Sequence, residues 1–181
     1  LWPTHITFVA SANCALYCGA RIDFVDIDPR TYYLSIDALK VKLDKAEKAG
    51  RLPKILVPVH LCGLPCDMQA IGELSKKYGF SVIEDASHAI GGKYQDEPVG
   101  DCRYSDITVF SFHPVKIITT GEGGVALTND HDMAEKMDLL RSDGITSVPE
   151  QMTHQPDGDW YYQLVELGYN YRVTDILAAR G

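Results

Sequence analysis

Polar side chains follow two apolar, strand-like segments of the sequence. They come directly after FSVIE and DITVF, and they are Asp85, Ser87, His88, Ser111, His113 and Lys116. A glycine-rich turn, GEGG at 121–124, follows the second set. Open α/β sheets bind ligands outside the carboxyl ends of their strands, so these groups are expected to converge at one edge of a sheet.

The combination of groups suits a cationic aromatic cofactor that carries a phosphate. An aspartate can keep a pyridine nitrogen protonated, and a lysine amine can condense with an aldehyde. Serine or threonine hydroxyls, together with the N–H groups of a turn, can hold a phosphate. The residue types therefore predict a cofactor site of this kind, with Asp85 and Lys116 at its centre.

The elements that must position these groups alternate between strand-like and helix-like segments. Strand-like runs lie at 6–10, 21–26, 54–60, 80–84, 106–112 and 123–128. Helix-like segments lie at 12–19, 36–49, 68–78 and 132–141; the third has an apolar stripe, Asp67 placed to cap its start and Gly79 where it should stop. Near-continuous apolar strands such as ILVPV are typical of buried sheets, so the pattern predicts an α/β fold with a mostly parallel sheet covered by helices on both faces.

Composition narrows the possible partners. The chain has 181 residues, of which 45% are hydrophobic, enough for one sizeable core. Its 17 basic and 25 acidic residues give a formal net charge of −8, and no basic run occurs, so nucleic acid is not an expected partner. No apolar run reaches the roughly 20 residues of a membrane span, so no membrane association is expected.

The cysteines raise the questions of redox compartment and of metal binding. Their number is odd, and they lie in apolar or regular segments, which favours buried thiols in a reducing cytoplasm. His60, Cys62, Cys66 and Asp67 are clustered, but Cys-x₃-Cys with one histidine and no second ligand pair is a weak zinc signature. The alternative is a strand end that runs into a loop, and no metal site is predicted.

Four motifs give the chain a family resemblance. They occur along the sequence as ITFVASANCALYCGA, VIEDASHAIGG, FSFHPVK followed by GEGG, and LGYNYRVTDI. They resemble the DegT/DnrJ/EryC1/StrS family of sugar aminotransferases, in family order and over nearly the whole chain. The resemblance implies the large domain of a type I, aspartate-aminotransferase-like transferase, with pyridoxal 5′-phosphate as its cofactor.

The resemblance also implies roles for residues at the strand ends. Lys116 would form the Schiff base with the cofactor and shuttle protons, and Asp85 would contact the pyridine nitrogen. His88 would contact the phenolic oxygen, and Ser111 would bind the phosphate. Each residue has a structural alternative. For Lys116 it is a solvated surface lysine, and for Asp85 a turn cap. For His88 it is a hydrogen-bonded structural histidine, and for Ser111 a turn hydroxyl.

Further positions match the family outside these strand ends. Phe8 would stack on the pyridine ring, unless it is a core aromatic. Asn170 would reach the phosphate of a neighbouring subunit, which implies a homodimer with shared active sites, unless it is a turn asparagine. His113, Trp160 and Arg172 are candidates for contacts with the sugar or its nucleotide.

Two features depart from the family pattern. Ile117 stands where many relatives have asparagine. This feature and the segment WYYQLVELGYNYR resemble the members that aminate UDP-linked 4-keto-6-deoxy-N-acetylhexosamines in pseudaminic acid biosynthesis. The family's N-terminal phosphate-loop segment and C-terminal small domain have no counterpart in residues 1–181. We therefore expect the chain to be part of the cofactor-binding large domain.

Three hypotheses of function follow. The first is transamination, with glutamate as the amino donor and the keto carbon, expected to be C4, of a nucleotide-linked 4-keto-6-deoxy sugar as the acceptor. The second is a catalytically silent or regulatory domain that binds ligands in the same cleft. The third, a nicotinamide-dependent enzyme, is disfavoured because no G-x-G-x-x-G lies between a strand and a helix.

Overall fold

The computed structural model describes residues 1–180. These residues form two compact units, Leu1–Asn129 and Asp130–Arg180, and each unit is described by itself. The helices are α1 (Ala10–Tyr17), α2 (Ile36–Lys48), α3 (Met68–Tyr78), α4 (His131–Arg141) and α5 (Asp175–Ala178). The strands are β1 (Trp2–Pro3), β2 (Ile55–Val57), β3 (Ser81–Asp85), β4 (Lys93–Tyr94), β5 (Glu97–Pro98), β6 (Ile107–Ser111), β7 (Gly124–Leu127), β8 (Ile145–Thr146) and β9 (Gln163–Leu164).

A five-stranded sheet forms the centre of the first unit. Its strand order is β1-β2-β3-β6-β7, and every neighbouring pair is parallel except β6 and β7. Helices lie in the crossovers from β1 to β2 and from β2 to β3, whereas the β4–β5 hairpin lies between β3 and β6. The prediction of a mostly parallel α/β sheet is therefore confirmed.

The main core lies between this sheet and helices α2 and α3. Leu56 and Val82 are paired neighbours on one face of the sheet, and both are fully buried. They belong to the same apolar cluster as Leu39 and Leu43 of α2 and Ile71 of α3. Fully burying a side chain of this kind stabilises the fold by about 1.5–3 kcal/mol relative to leaving it exposed.

Helix α1 lies on the opposite face of the sheet. Its Ser11 donates a hydrogen bond to Asp85, which points to the face opposite Val82 because side chains alternate along a strand. Helices therefore cover both faces, as predicted. The opposite face is less completely covered, since Ile83 and Val109 are only partly buried.

The predictions of strands at 6–10 and at 21–26 are wrong. In place of a strand at 6–10, the chain forms β1 at Trp2–Pro3 and enters α1 at Ala10. In place of a strand at 21–26, only isolated bridges form, at Val25 and Ile27. The aromatic and β-branched residues at 6–9 suggested a buried strand, but Phe8 and Val9 are exposed.

Local capping sets both ends of α3, the helix that the sequence predicted at its observed bounds. The side chain of Asp67 accepts a hydrogen bond of 3.2 Å from the backbone N–H of Ala70, and this caps the start of α3. Gly79 ends the helix in a left-handed conformation, with φ of 73°, that favours glycine. Both signals predicted the observed bounds.

The second unit contains α4, the short β8–β9 ladder and α5. The side chain of Asp130 caps α4 by accepting from Met133 N–H at 2.9 Å, and Thr174 caps α5 in the same way. The backbone around 142–145 returns against 165–171 through several hydrogen bonds, including Asp143 N–H to Tyr169 O at 2.8 Å. None of the helices within residues 1–180 is long and apolar enough to cross a membrane.

Candidate active site

Asp85 ends β3, and its carboxylate accepts three hydrogen bonds. Oδ1 accepts from the Ser87 backbone N–H at 3.2 Å and from the Ser87 hydroxyl at 2.6 Å. Oδ2 accepts from the Ser11 hydroxyl at 3.1 Å. A carboxylate has about four acceptor positions, so these contacts fix its orientation and leave capacity for one more donor. The predicted turn-cap alternative is present too, since Ser87 N–H is one of the donors.

Ser11 is a contact that sequence reasoning missed. Its oxygen accepts from the Thr7 hydroxyl at 2.8 Å, and its own proton is then directed to Asp85. Ser11 lies 74 residues before Asp85, and no periodic pattern links the two positions. The family-like motif ITFVASAN contains both hydroxyls, and it was the signal that could have identified them.

A small cavity brings His88 and Lys116 together, as the sequence predicted. Its volume is about 190 Å³, and it is lined by Cys62, Ser87, His88, Val115, Lys116 and Ile117. Lys116 is partly buried, and its role as the Schiff-base lysine stays a prediction. Ser87 links the cavity to Asp85, because its hydroxyl is bonded to that carboxylate.

The ring of His88 has a defined hydrogen-bonding pattern. Its Nδ1 accepts from the backbone N–H of Cys62 at 3.3 Å. In a neutral imidazole the other nitrogen then carries the proton, so Nε2 of His88 is a donor. His88 is thus partly a structural histidine, as the alternative proposed, while its second nitrogen remains suited to an acceptor atom on a ligand.

Ser111 lies on the same face of the sheet as Asp85. Asp85 pairs with Val109, and Ser111 follows two residues later at the end of β6, so both side chains point the same way. The hydroxyl accepts from His113 N–H at 3.4 Å, which corresponds to the predicted local-turn alternative. Placement at the strand end keeps Ser111 a candidate for phosphate binding.

The segment from His113 to Gly124 folds into a hydrogen-bonded turn that carries Lys116. His113 Nδ1 accepts from Val115 N–H at 3.3 Å, and Lys116 N–H donates to His113 O at 2.9 Å. His113 itself is exposed. At Gly124 an added Cβ would lie 2.9 Å from Phe110 O, so the return of the chain to β7 requires glycine.

Phe8 is not a core residue. It precedes α1, and 74% of its surface is exposed. Its carbonyl accepts from the backbone N–H of Ser11, the residue that contacts Asp85. The core-aromatic alternative is therefore wrong, and the stacking role stays a prediction.

The remaining candidates lie in the second unit. Asn170 is exposed and forms an isolated bridge with Ser142. Arg172 pairs with Asp143, and Trp160 is 71% exposed. The contacts predicted for Asn170, Trp160 and Arg172 with cofactor or substrate stay predictions.

The cysteine-containing loop shows a different arrangement from the one that raised a metal question. Within residues 1–180, no group of three or more His, Cys, Asp or Glu side chains is placed to hold a metal ion. His60 is buried and contacts Glu84 instead, and burial raises the pKa of the Cys66 thiol to about 12. Cys14, Cys18 and Cys62 are exposed, so the prediction of buried thiols is wrong for three of the five cysteines.

The fold and the strand-end residues define the class of protein, a type I PLP-dependent transferase of α/β architecture. The profile of the DegT/DnrJ/EryC1/StrS aminotransferase family matches residues 3–181, and the chain belongs to this family. The family assignment made from the four motifs is confirmed.

Individual proteins agree with this assignment. The chain is 40% identical over 178 residues to the UDP-4-amino-4,6-dideoxy-N-acetyl-beta-L-altrosamine transaminase of Campylobacter jejuni, covering 98% of the chain and 43% of that protein. The structure of Helicobacter pylori PseC, described as an aminotransferase involved in the biosynthesis of pseudoaminic acid, matches with a TM-score of 0.84 and 32% identity. That match covers 98% of this chain and 43% of PseC, so the chain spans less than half the length of these proteins.

The cofactor prediction is confirmed for the family. A putative sugar aminotransferase from Streptococcus pneumoniae, whose structure is described as its PMP-form, matches with a TM-score of 0.79 and 28% identity, covering 99% of this chain and 48% of that one. The residues of the present chain fit such a group, because a fixed carboxylate, an imidazole donor and a lysine amine lie around the edge of one sheet. Pyridoxal 5′-phosphate is therefore the cofactor expected at this site.

Proposed function

We propose that this chain is part of the cofactor-binding large domain of an aminotransferase that acts on nucleotide-linked keto sugars. The amino group would come from an amino-acid donor, glutamate, and pass to the keto carbon, C4, of a 4-keto-6-deoxy sugar. The observation that carries the proposal is the cavity shared by His88 and Lys116, linked through Ser87 to Asp85. Membership of a sugar aminotransferase family supports the reaction class.

Different residues of the chain have different roles in the proposed reaction. When bound, the cofactor would supply an aldehyde group and a ring that withdraws electrons. Asp85 accepts a hydrogen bond from the ring nitrogen and keeps it protonated, since its carboxylate has one acceptor position left. His88 donates from Nε2 to the phenolic oxygen. Lys116 Nζ holds the cofactor and moves protons at the substrate carbon.

Other residues of the chain bind the phosphate, cover the cofactor ring and contact the substrate. Ser111, at the end of β6, holds the phosphate together with N–H groups of the following turn. Phe8 covers one face of the ring, and its exposure leaves its aromatic surface available for that contact. His113, Trp160 and Arg172 contact the sugar or its nucleotide. Asn170 reaches the phosphate in a neighbouring subunit, so the active protein is a homodimer.

The substrate assignment rests on the subgroup resemblance. Ile117 after the lysine and the segment WYYQLVELGYNYR are similar to members that aminate UDP-linked sugars. The Campylobacter jejuni relative is named as a transaminase of a UDP-linked amino sugar, which supports the same choice here. We therefore propose a UDP-linked 4-keto-6-deoxy-N-acetylhexosamine as the acceptor.

Peptide mapping tests the central residue. Full-length protein loaded with pyridoxal phosphate is reduced with borohydride, digested and analysed by mass spectrometry. We expect the pyridoxyl label on Lys116, because borohydride makes the bond between cofactor and lysine permanent. Lys93, which lies in the β4–β5 hairpin, is the internal control. A label on any other lysine would show that Lys116 does not hold the cofactor.

Substrate tests separate the donor from the acceptor. Amino-sugar formation is measured with a UDP-linked 4-keto-6-deoxy-N-acetylhexosamine and with its GDP-linked counterpart, each in the presence of glutamate, glutamine or aspartate. We expect turnover with glutamate and the UDP-linked sugar. Turnover only with another donor or nucleotide would contradict that part of the proposal and leave the reaction class intact.

A further inference from the structure

The loop that leads from β2 to α3 is supported by a buried hydrogen bond between His60 and Glu84. His60 is fully buried, and its Nε2 lies 2.7 Å from Oε2 of Glu84, a β3 residue whose side chain is itself 7% exposed. Nδ1 of His60 accepts from the backbone N–H of Cys66 at 3.3 Å. Since Nδ1 accepts, the neutral ring carries its proton on Nε2 and donates to Glu84.

Glu84 is in turn fixed by neighbouring side chains. Its Oε1 accepts from the hydroxyl of Ser105 and from that of Thr108, the latter at 3.1 Å. Thr108 pairs with Glu84 across β3 and β6, so the carboxylate is tied to both strands. The carboxylate therefore provides a rigid support for His60, and through His60 for the two ends of the loop at 60 and 66.

The upper side of the same loop contacts His88. The backbone N–H of Cys62 donates to His88 Nδ1 at 3.3 Å. Cys62 has a φ of 56°, in the left-handed region that a residue with a side chain rarely adopts. An added Cβ at Gly63 would lie 2.8 Å from His88 O, so the turn packs directly on the residue. A strained turn of this kind persists only when surrounding contacts hold it.

We propose that Glu84 and His60 are positioning residues that hold the 60–66 loop so that Cys62 N–H keeps Nδ1 of His88 unprotonated and leaves the ring proton on Nε2. The proton is then available to an acceptor atom of a ligand in the cavity that His88 and Lys116 line. Only the identity of that acceptor, the phenolic oxygen of the cofactor, rests on the proposed function. The loop that raised a zinc question thus serves the site through its backbone.

The first test uses full-length protein without cofactor, so it is independent of the proposed function. Nitrogen-15 NMR of labelled histidine reports which ring nitrogen of His88 is protonated, and amide exchange reports the protection of Cys62 N–H. In the unsubstituted protein we expect Nε2–H and a protected amide. A His88 ring protonated on Nδ1 would overturn the proposal.

Matched variants test the role of Glu84. Glu84→Ala removes the support of His60, so we expect a mixture of His88 tautomers and Cys62 exchange faster by about tenfold or more. Glu84→Gln keeps an acceptor for His60 Nε2–H and is expected to restore both readouts. Tyr78→Phe, which removes a different, partly buried hydrogen bond of 2.6 Å to Asp44, is the control for general destabilisation. A folded Glu84→Ala protein with unchanged readouts would contradict the proposal.

Gly63→Ala provides a variant that leaves the buried pair intact. The added Cβ would displace the turn from His88, so we expect the same tautomer mixture and faster Cys62 exchange. In cofactor-loaded protein, the pH profile of the visible absorbance should shift in both Glu84→Ala and Gly63→Ala, and should not shift in Tyr78→Phe. If the protein takes up no cofactor, the proposed function fails, whereas the NMR result still decides the positioning role.

Discussion

At the scale of single residues, the orientation of Asp85 depends on hydroxyl donors that belong to two different elements. Ser87 follows Asp85 at the end of β3, whereas Ser11 approaches from α1 on the same face of the sheet. Hydrogen bonds to a charged group contribute about 1.5–3 kcal/mol. Ser11 and Ser87 therefore position the carboxylate before any ligand arrives, and a ligand need not reorder it on binding.

Replacing Ser87 with alanine should weaken cofactor binding. The change removes the 2.6 Å hydroxyl contact and leaves Asp85 held only by Ser87 N–H and the Ser11 hydroxyl, so we expect a loss of about 1–2 kcal/mol, or roughly a tenfold higher Kd for pyridoxal phosphate. Fluorescence titration of full-length protein with the cofactor measures the effect. Ser81→Ala, an exposed serine at the other end of β3, is the control. An equal Kd in both variants would show that Asp85 is oriented by other contacts.

Glu84 should make the stability of the protein fall in acid. Burial raises the pKa of its carboxyl, but hydrogen bonds from His60 and Ser105 outweigh this and lower the pKa below its ordinary value of 4.5. A group whose pKa is lower in the folded state stabilises the fold fully above its unfolded pKa, and this contribution disappears as the pH falls through the folded value. The pH range in which Glu84 loses its stabilising contribution therefore lies below 4.5.

Urea denaturation at several pH values measures this contribution. Between about pH 7 and about pH 3, the free energy of unfolding should decrease less steeply in Glu84→Gln than in the unsubstituted protein, because glutamine does not titrate. At pH 7 the variant should be the less stable of the two. Parallel curves for the two proteins would mean that Glu84 titrates alike in the folded and unfolded states.

At the scale of elements, Asp67 joins the start of α3 to the β4–β5 hairpin. Its Oδ1 accepts from Ala70 N–H and also from the Tyr94 hydroxyl at 2.8 Å. Asp67→Ala removes both contacts, and loss of a helix cap alone destabilises a protein by about 0.5–2 kcal/mol. Tyr94→Phe removes only the hydroxyl, so it should be the milder change. Thermal denaturation of both variants tests this order, and a Tyr94→Phe protein destabilised as much as Asp67→Ala would show that the cap contributes nothing.

Elements with strong local signals could be predicted from the sequence. Helix α3 was predicted at its observed bounds, because an apolar stripe, an aspartate cap and a terminal glycine all agree there. Strand β3 was predicted to within a residue from its apolar run. The segment at 6–10 was not, since its apolar residues are exposed at the start of α1 and do not enter the core.

Contacts between distant positions could not be predicted in the same way. The cavity shared by His88 and Lys116 was expected, because both follow strands that are neighbours in a parallel sheet. The bond from Ser11 to Asp85 and the buried pair of His60 and Glu84 were missed. Each joins residues far apart in sequence, and nothing in their local patterns indicates that packing brings them together.

At the scale of the whole molecule, large apolar side chains remain exposed near the candidate site. Val115 and Ile117 flank Lys116 with 78% and 72% exposure. Exposed apolar patches of this kind mark surfaces that other protein or ligand groups cover. They are consistent with the proposal that a neighbouring subunit, through Asn170, contributes to each active site.

Subunit mixing tests that proposal directly. Lys116→Ala and Asn170→Ala are each expected to be inactive as full-length homodimers. If Asn170 serves the site of its neighbour, each mixed dimer holds one site with both substitutions and one intact site. Random mixing should then restore about a quarter of the unsubstituted activity, because half of the dimers are mixed and half of their sites are intact. Native mass spectrometry confirms that mixed dimers form. Mixed dimers without activity would place Lys116 and Asn170 in the same subunit's site.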